Sequence, residues 1–301
     1  MATYVECGQC RLLIDPGAAL GPSRFGLPPA DAEWEALKRA NDRVSGYATR
    51  AQFVFISHYH EDHFRYDGTL YAGRTVWAKD PRHMINPAQG RRAAELWKSL
   101  KAGCRLDSAE GKSYDFPDAI LKASPSLAHG PEGTGLGYVV ALTVTDRAEG
   151  FRFVFASDVQ GPASPVATAY LIRERPHLLY LSGPPTYLER QVGTHAIEQG
   201  ITNLLSIIDT TGCRVILDHH ALRDPKHRER LARLWETGKV VTAAGYLGLS
   251  EACLEASRNV LWAEQKKPGA RIPGRSLKPA RSSSMITPRT STLRAKGGSA
   301  G

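Results

Sequence analysis

An apolar run that breaks abruptly into metal-type side chains constrains this chain more than any other feature. Residues 53–63 have the sequence FVFISHYHEDH. Phe53 to Ile56 is the β-branched and aromatic run of a buried strand, and Ser57 is the position where that strand would end. His58 and His60 are two residues apart, so in an extended chain both side chains point the same way and can reach one cation. We therefore predict a metal ligand pair at the end of this strand.

The residues that follow, Asp62 and His63, are predicted to serve a second ion. A carboxylate beside an imidazole is a borderline-soft ligand set that favours zinc, with iron and manganese as alternatives, because affinity alone does not decide among these metals. Three histidines and one aspartate within six residues, directly after a strand, are not typical of an ordinary polar loop. The pattern predicts two divalent metal ions as cofactors.

The segment from His58 to His63 resembles the H-x-H-x-D-H signature of the metallo-β-lactamase superfamily. The resemblance implies an α/β fold, a four-layer αβ/βα sandwich with two metals at the strand edge. His129, which heads an H-G-P-E-G turn, fits the third superfamily motif as a ligand of the first metal. Asp158 ends the strand-like run FVFASD and resembles the fourth motif. A carboxylate placed there can bridge two cations that are about 3.5–4 Å apart.

The last ligand is predicted to be one of two adjacent histidines that follow the apolar run Val215 to Leu217. Either His219 or His220 would complete the second metal site. The resemblance favours His219, two residues beyond the run, and leaves His220 to face the substrate or support the ligands. Because adjacent strand residues face opposite ways, a slip of one residue would reverse this assignment. Arg223 is placed to meet an anionic group.

Asp15, in the sequence LLIDPG, ends the second of two predicted short strands. The resemblance implies that this aspartate supports the ligand loop through hydrogen bonds without binding metal. Asp-Pro-Gly is also simply a favourable turn, so both interpretations stay open. The superfamily usually has a further strand before this hairpin, which raises the question of a truncated start.

Other segments carry weaker signals. Pro28 to Gly46 has a helical spacing of apolar residues, with Asp31 as its expected N-cap. Tyr138 to Thr145 has the composition of one strand. We expect both segments to contribute packing rather than chemistry.

The net charge of +9 is concentrated at one end of the chain. Residues 265–301 contain nine of the 39 basic residues and none of the 30 acidic ones, so the first 264 residues hold 30 of each. The same stretch is rich in Pro, Gly, Ser and Thr and cannot bury enough apolar surface to offset its ordering entropy. We predict a hydrolase domain over 1–264 and a basic, disordered tail over 265–301. Any weak, nonspecific contact with nucleic acid would come from this tail.

The start of the chain, MATYVECGQC, lacks the basic and apolar regions of a signal peptide, and no apolar run is long enough to span a bilayer. Five cysteines are an odd number, which favours reduced thiols over a disulfide framework. These features predict a cytoplasmic protein that does not contact a membrane.

Together these residues predict an enzyme. A water between two metals would lose its proton near neutral pH and become a bridging hydroxide nucleophile. Asp158 would hold the two ions, and Asp62 or a metal-bound water would help to protonate the leaving group. The expected reaction is hydrolysis.

Two short spacings narrow the substrate. Only 29 positions separate His129 from Asp158, and 61 separate Asp158 from His219. They leave little room for the substrate arm of the tRNA 3′-end nucleases, so we predict a small ester, thioester, lactone or phosphodiester as substrate. The alternatives are a small nuclease that holds RNA or DNA through its tail and a non-catalytic metal-binding protein. The sequences VQGP and LSGPPTYL resemble a largely archaeal branch of these hydrolases, a resemblance that brings no known substrate.

Overall fold

Two stacked β-sheets form the centre of the molecule, which is represented by a computed structural model that describes residues 2–100 and 102–265. In chain order the strands are β1 (Thr3–Cys7), β2 (Cys10–Ile14), β3 (Phe53–Ile56), β4 (Thr75–Ala78), β5 (Arg105–Ser108), β6 (Ser113–Asp115), β7 (Ala119–Ala123), β8 (Leu127–Ala128), β9 (Tyr138–Val139), β10 (Leu142–Asp146), β11 (Arg152–Phe155), β12 (Leu178–Leu181), β13 (Arg214–Leu217) and β14 (Val240–Thr242).

The first sheet has the spatial order β1-β2-β3-β4-β5, and the second has the order β14-β13-β12-β11-β10-β7-β6. Strands β2 to β5 are parallel, as are β11 to β14. β1, β10 and the β6–β7 pair are antiparallel to their neighbours, and β8 and β9 form a separate two-stranded ribbon. The parallel strands bring their carboxyl ends to one edge of each sheet.

Helices α1 and α2 pack on the outer face of the first sheet, and α3, α5 and α8 on that of the second. In chain order the helices are α1 (Asp31–Ala48), α2 (Pro87–Leu100), α3 (Pro165–Glu174), α4 (Glu189–Val192), α5 (Thr194–Thr211), α6 (His219–Leu222), α7 (His227–Arg230), α8 (Ala232–Trp235), α9 (Ala243–Tyr246) and α10 (Arg258–Gln265). Short 3₁₀ turns lie at Gly68–Leu70, Ser157–Val159, Thr186–Leu188 and Glu255–Ser257.

Alternate side chains along each strand enter different apolar layers. On β3, Phe55 packs between the sheets, whereas Val54 and Ile56 pack with residues of α1 and α2. On β11, Phe155 joins the central layer and Val154 packs with residues of α3 and α5. Because a strand presents successive side chains to opposite faces, each sheet is covered on both sides. The layer order is helix, sheet, sheet, helix, which confirms the predicted αβ/βα sandwich.

Two details differ from the sequence-based expectation. The expected strand from Tyr138 to Thr145 is divided between β9 and β10, because Val140 N–H donates to Ser57 O of the other sheet at 3.0 Å. The N-cap of α1 is Ala30 and not Asp31. The carboxylate of Glu33 accepts the Ala30 N–H at 2.7 Å and so replaces a capping side chain.

The predicted tail, 265–301, lies outside the described residues apart from Gln265, which ends α10. Its disorder therefore stays a prediction. Within residues 2–100 and 102–265, no helix combines the length and the apolar character that crossing a membrane requires.

Candidate metal centre

The candidate ligands lie where strands of both sheets end. The loop that carries His58, His60, Asp62 and His63 follows β3, and Asp158 lies in the turn after β11. The other two follow the short strand β8 and the core strand β13: His129 comes directly after Ala128, and His219 begins α6. The structure brings all seven predicted ligands to one edge of the sandwich.

Asp158 lies at the centre of this group. Its Oδ2 atom is 3.5 Å from His58 Nε2, 3.4 Å from His63 Nε2 and 3.2 Å from His129 Nε2. The second carboxylate oxygen, Oδ1, is 3.7 Å from His219 Nε2. Asp158 is only 1% exposed, so this carboxylate is buried among imidazoles.

The ligand atoms fall into overlapping groups within 4.8 Å: His58, His60, His129 and Asp158; Asp62, His63 and His219; Asp15, His58 and His63; and Asp158, His219 and His220. The first two groups are the predicted sets. His58 Nε2 and His60 Nδ1 are 3.0 Å apart. We call the seven residues of these two sets the ligand cluster.

Several ring nitrogens of the ligand cluster are buried without a hydrogen-bond partner among the described residues. They are His63 Nε2, His129 Nε2 and His219 Nε2. A buried polar atom left unpaired costs free energy, and a fold that retains several at one place indicates a missing partner. Imidazole nitrogens and carboxylate oxygens at this separation fit divalent transition metals.

Burial and charge set the protonation of the histidines. Burial holds the pKa of His58 and of His219 well below its usual range. Burial likewise lowers the pKa of His60 to about 4 and that of His220 to about 3. These four imidazoles are neutral near pH 7, which is the form that binds a metal.

The pKa of His63 shifts in the opposite direction. Burial opposes its charge, but the carboxylates of Asp158, Asp62 and Asp15 outweigh that effect and raise the pKa of His63 to about 10. Burial likewise opposes ionisation of Asp62, yet His63 and Arg223 lower its pKa to about 2. Without a cation, a protonated His63 thus supplies positive charge among the carboxylates.

Asp15 lies at the end of β2, beside β3 in the sheet. Its Oδ1 accepts the Ser57 N–H at 2.7 Å, and its Oδ2 accepts the Ser57 hydroxyl at 2.6 Å and lies 2.7 Å from His63 Nδ1. The backbone of Gly17 packs so closely on the ligand loop that a Cβ there would lie 2.3 Å from Phe64 N. The Asp-Pro-Gly turn and the hydrogen bonds from Asp15 to the ligand loop are therefore both present. The contact of Asp15 with His63 Nδ1 directs His63 Nε2 toward Asp158.

His219 and His220 both approach Asp158. His219 Nε2 is 3.6 Å from Asp62 Oδ2, which places it in the set with His63. His220 Nε2 is 3.5 Å from Asp158 Oδ2, on the side of an open cavity. Arg223 NH2 lies 3.4 Å from Asp62 Oδ2. The choice of His219 over His220 as the ligand stays a prediction.

A cavity of about 310 Å³ opens onto the cluster. Its lining includes His60, Asp62, Gln160, His220, Arg24 and Arg223. A neighbouring cavity of about 490 Å³ shares Ala19 and Glu61 with it and extends to Tyr66. The volume fits a small molecule bound beside the candidate metals.

Sequence analysis missed three residues of this region. Gln160 Nε2 is 3.4 Å from His129 Nδ1, and Gln160 has a φ of 67°, a strained value for a residue with a side chain. The only local signal was its position two residues after Asp158. Arg24 also lines the cavity, and Glu255, which accepts its Nε–H, is 231 residues away in the chain, a pairing that no local motif could reveal.

The layer order and a metal-type cluster at the carboxyl ends of the strands, together with the H-x-H-x-D-H motif, define a protein of the metallo-β-lactamase fold. No family model matches the chain. Over 289 residues it is 39% identical to the UPF0282 protein of Thermococcus kodakarensis, covering 91% of this chain and 95% of that protein. It is 38% identical to the UPF0282 protein of Methanopyrus kandleri over 281 residues, covering 88% and 95%. The chain therefore belongs to the UPF0282 family, and the predicted resemblance to an archaeal branch is confirmed.

Solved structures similar to the chain are more distant. Zn²⁺-bound PqqB from Methylobacterium extorquens is 11% identical, with a TM-score of 0.46, over 80% of this chain and 83% of that chain. Human tRNase Z, short form, is 13% identical, with a TM-score of 0.43, over 73% and 85%. Likenesses at this level say nothing about the activity of this chain.

Proposed function

We propose that this chain is a metal-dependent hydrolase with a dinuclear site, acting on a small ester, thioester, lactone or phosphodiester. The observation that carries the proposal is the buried carboxylate of Asp158 among imidazoles, three of which have a buried nitrogen without a hydrogen-bond partner among the described residues. Such atoms are costly unless a ligand completes them. Zinc suits these ligands best, with manganese and iron as alternatives.

Each of the two sets in the ligand cluster would hold one metal ion. His58, His60 and His129 would hold one ion, Asp62, His63 and His219 the other, and Asp158 would be shared. Divalent cations held there acidify water and stabilise developing negative charge. Because its pKa is about 2, Asp62 is ionised near neutral pH and is better suited to bind a cation or accept a proton than to donate one. Arg223, beside Asp62, is placed to orient an anionic group.

The test is elemental analysis combined with a substrate panel. We expect the purified protein to bind close to two transition-metal ions per chain, and the double variant His58→Ala with His60→Ala to lose at least one. Turnover of an activated phosphodiester, a thioester or a lactone should fall on the order of 10³-fold, since several kcal/mol of stabilisation are lost. The exposed His195, on α5, supplies the control His195→Ala, which should keep both ions.

Two results would contradict the proposal. One is a double variant that still holds two ions, and the other is a metal-loaded wild type that hydrolyses no member of the panel. The same analysis separates His219→Ala from His220→Ala: the former should lose the second ion, and the latter should spare it. The nuclease alternative depends on the predicted tail, 265–301, and single-stranded RNA in the panel tests it.

A further inference from the structure

Two arginines on the wall of the cavity share one carboxylate. Arg24, from the loop between β2 and α1, donates through Nε to Glu255 Oε2 at 3.2 Å. Arg223, which follows α6, donates through Nε to the same oxygen at 3.0 Å. Both guanidinium groups line the cavity beside the ligand cluster, with side-chain exposures of 19% and 14%. We call Arg24, Arg223 and Glu255 the arginine wall.

The arginine wall is held in a fixed geometry. Glu255 Oε1 accepts the Gly21 N–H at 2.8 Å, so one carboxylate binds both the backbone and the side chain of the Arg24 loop. The Arg24 guanidinium lies 4.6 Å from the centre of the Tyr187 ring, a cation–π contact that orients its plane. A binding group that is already oriented loses less entropy when a ligand arrives.

A more distant ion pair keeps this loop in place. Arg258 NH1 donates to Leu27 O at 3.2 Å, and Leu27 forms a backbone bridge with Arg24. Arg258 itself forms a fully buried ion pair with Glu33 on α1. The chain thus retains a costly buried charge pair beside the loop that carries one arginine of the wall.

Arg24 has Glu255 as its one carboxylate partner among the described residues, so its guanidinium is not fully paired. Glu255 supplies one negative charge to two guanidinium groups, and a guanidinium has five N–H donors, of which Arg24 uses its Nε–H on Glu255. Arg223 also reaches Asp62 at 3.4 Å, which connects the wall to the predicted second metal site. The remaining N–H donors of the Arg24 guanidinium have the fork geometry that binds carboxylate and phosphate oxygens in pairs.

We propose that Arg24 and Arg223 form an anion-binding subsite that selects substrates with a phosphate or carboxylate group near the bond to be cleaved. This inference rests on the proposed hydrolase function and narrows it. Neutral esters and lactones are then poorer substrates than anionic ones. Glu255 is a positioning residue, because it acts through the two arginines.

The experiment compares wild type with Arg24→Gln, Arg24→Lys and the control Arg39→Gln, whose guanidinium is 64% exposed on α1. Arg24 is chosen because Arg223 contacts a predicted metal ligand. Metal content is measured for every preparation. The substrates are bis(p-nitrophenyl) phosphate, p-nitrophenyl hemisuccinate and the neutral p-nitrophenyl acetate, and a second readout is the binding of inorganic phosphate by calorimetry.

With Arg24→Gln, we expect the ratio of kcat/KM for the anionic substrates to that for the acetate to fall about 10- to 100-fold, mainly through KM, as loss of charged hydrogen bonds predicts. Phosphate affinity should fall by a similar factor. Arg24→Lys keeps the charge without the fork and should lie between Arg24→Gln and wild type. Arg39→Gln should match wild type. Whether the phosphate diester or the hemisuccinate loses more identifies the preferred anion.

An equal loss on all three substrates with unchanged phosphate affinity would overturn the subsite and leave Arg24 as a fastening for the loop. A wild type that is inactive on every substrate would defeat the hydrolase proposal alone, because phosphate binding still tests the subsite. Unchanged phosphate affinity in Arg24→Gln at equal metal content would overturn the subsite whatever the activity.

Discussion

The ligand cluster and the Glu33–Arg258 ion pair are both buried charged groups, but only one of them is complete. Arg258 Nε lies 3.0 and 2.9 Å from the two oxygens of Glu33, and Arg258 NH2 lies 2.9 Å from Glu33 Oε1. Arg258 NH1 donates to Leu27 O, and Glu33 Oε2 accepts the Ala30 N–H. In the ligand cluster, by contrast, three buried imidazole nitrogens have no hydrogen-bond partner among the described residues, and the Asp158 oxygens lie 3.2–3.7 Å from them.

This difference separates structural charge from functional charge. In a buried ion pair, the mutual attraction and the hydrogen bonds between the partners offset much of the desolvation penalty. A buried group without a partner keeps its penalty in the folded state. The ligand cluster therefore has a reason to bind cations, whereas Glu33 and Arg258 fasten α10 to the start of α1.

The largest effect on stability should come from removing one partner of the Glu33–Arg258 ion pair. Arg258→Met leaves the Glu33 carboxylate buried and uncompensated, which should lower the free energy of unfolding by about 3–5 kcal/mol. Urea denaturation measures the change. The exposed pair Arg39–Glu35, at 3.7 Å, supplies the control: Arg39→Gln should cost less than about 1 kcal/mol.

A second variant distinguishes charge burial from packing. Replacing both partners, Glu33→Met with Arg258→Met, removes the uncompensated charge and should be less destabilising than Arg258→Met alone. If the double variant were the less stable of the two, the contact would contribute through shape and not through charge, and the contrast with the ligand cluster would fail.

The two regions also differ in how far the sequence predicts them. His58, His60, Asp62 and His63 are adjacent in the chain, so their spacing and the preceding strand were enough to group them. Asp158 and His219 follow the parallel strands β11 and β13, whose carboxyl ends lie at one edge of the sheet, whereas His129 follows β8 of the separate two-stranded ribbon. The resemblance to a known superfamily then placed each of them by residue number.

The complete ion pair and the arginine wall had no such signal. Glu33 and Arg258 are 225 residues apart, and Arg24 and Glu255 are 231 apart. Each residue by itself matches an ordinary solvated charge on a loop or helix. Only the fold shows that they meet, because pairing across that distance depends on how α10 packs against the loop before α1.

A smaller effect is expected from the support of the ligand cluster. In Asp15→Asn, an amide replaces the carboxylate that lies 2.7 Å from His63 Nδ1, and an amide N–H there would favour the tautomer that carries its proton on Nε2. Metal affinity should fall about 10- to 100-fold, as for other residues that orient a metal-binding histidine. Competition with a chromophoric chelator measures it.

The control for that substitution is Asp107→Asn, since Asp107 is 54% exposed and pairs with Lys112. Its metal affinity should equal that of wild type. Equal affinities for Asp15→Asn and wild type would show that the turn alone, without the carboxylate, sets the orientation of His63.

The smallest effect for a single step is that of one pH unit on metal affinity. The pKa of His63 is raised to about 10 in the cluster without a cation, since three carboxylates outweigh its burial. A cation that binds Nε2 must displace this proton, so affinity should rise with pH, about tenfold per unit between pH 6 and 8, and level off only near pH 10. His60 and His220 add no slope there, because their pKa values of about 4 and about 3 leave them neutral.

Calorimetry in two buffers of different ionisation enthalpy should detect release of about one proton for the ion that His63 binds. An affinity that does not change over this range would mean that His63 is already neutral, which would leave Arg223, beside Asp62, as the positive charge next to these carboxylates.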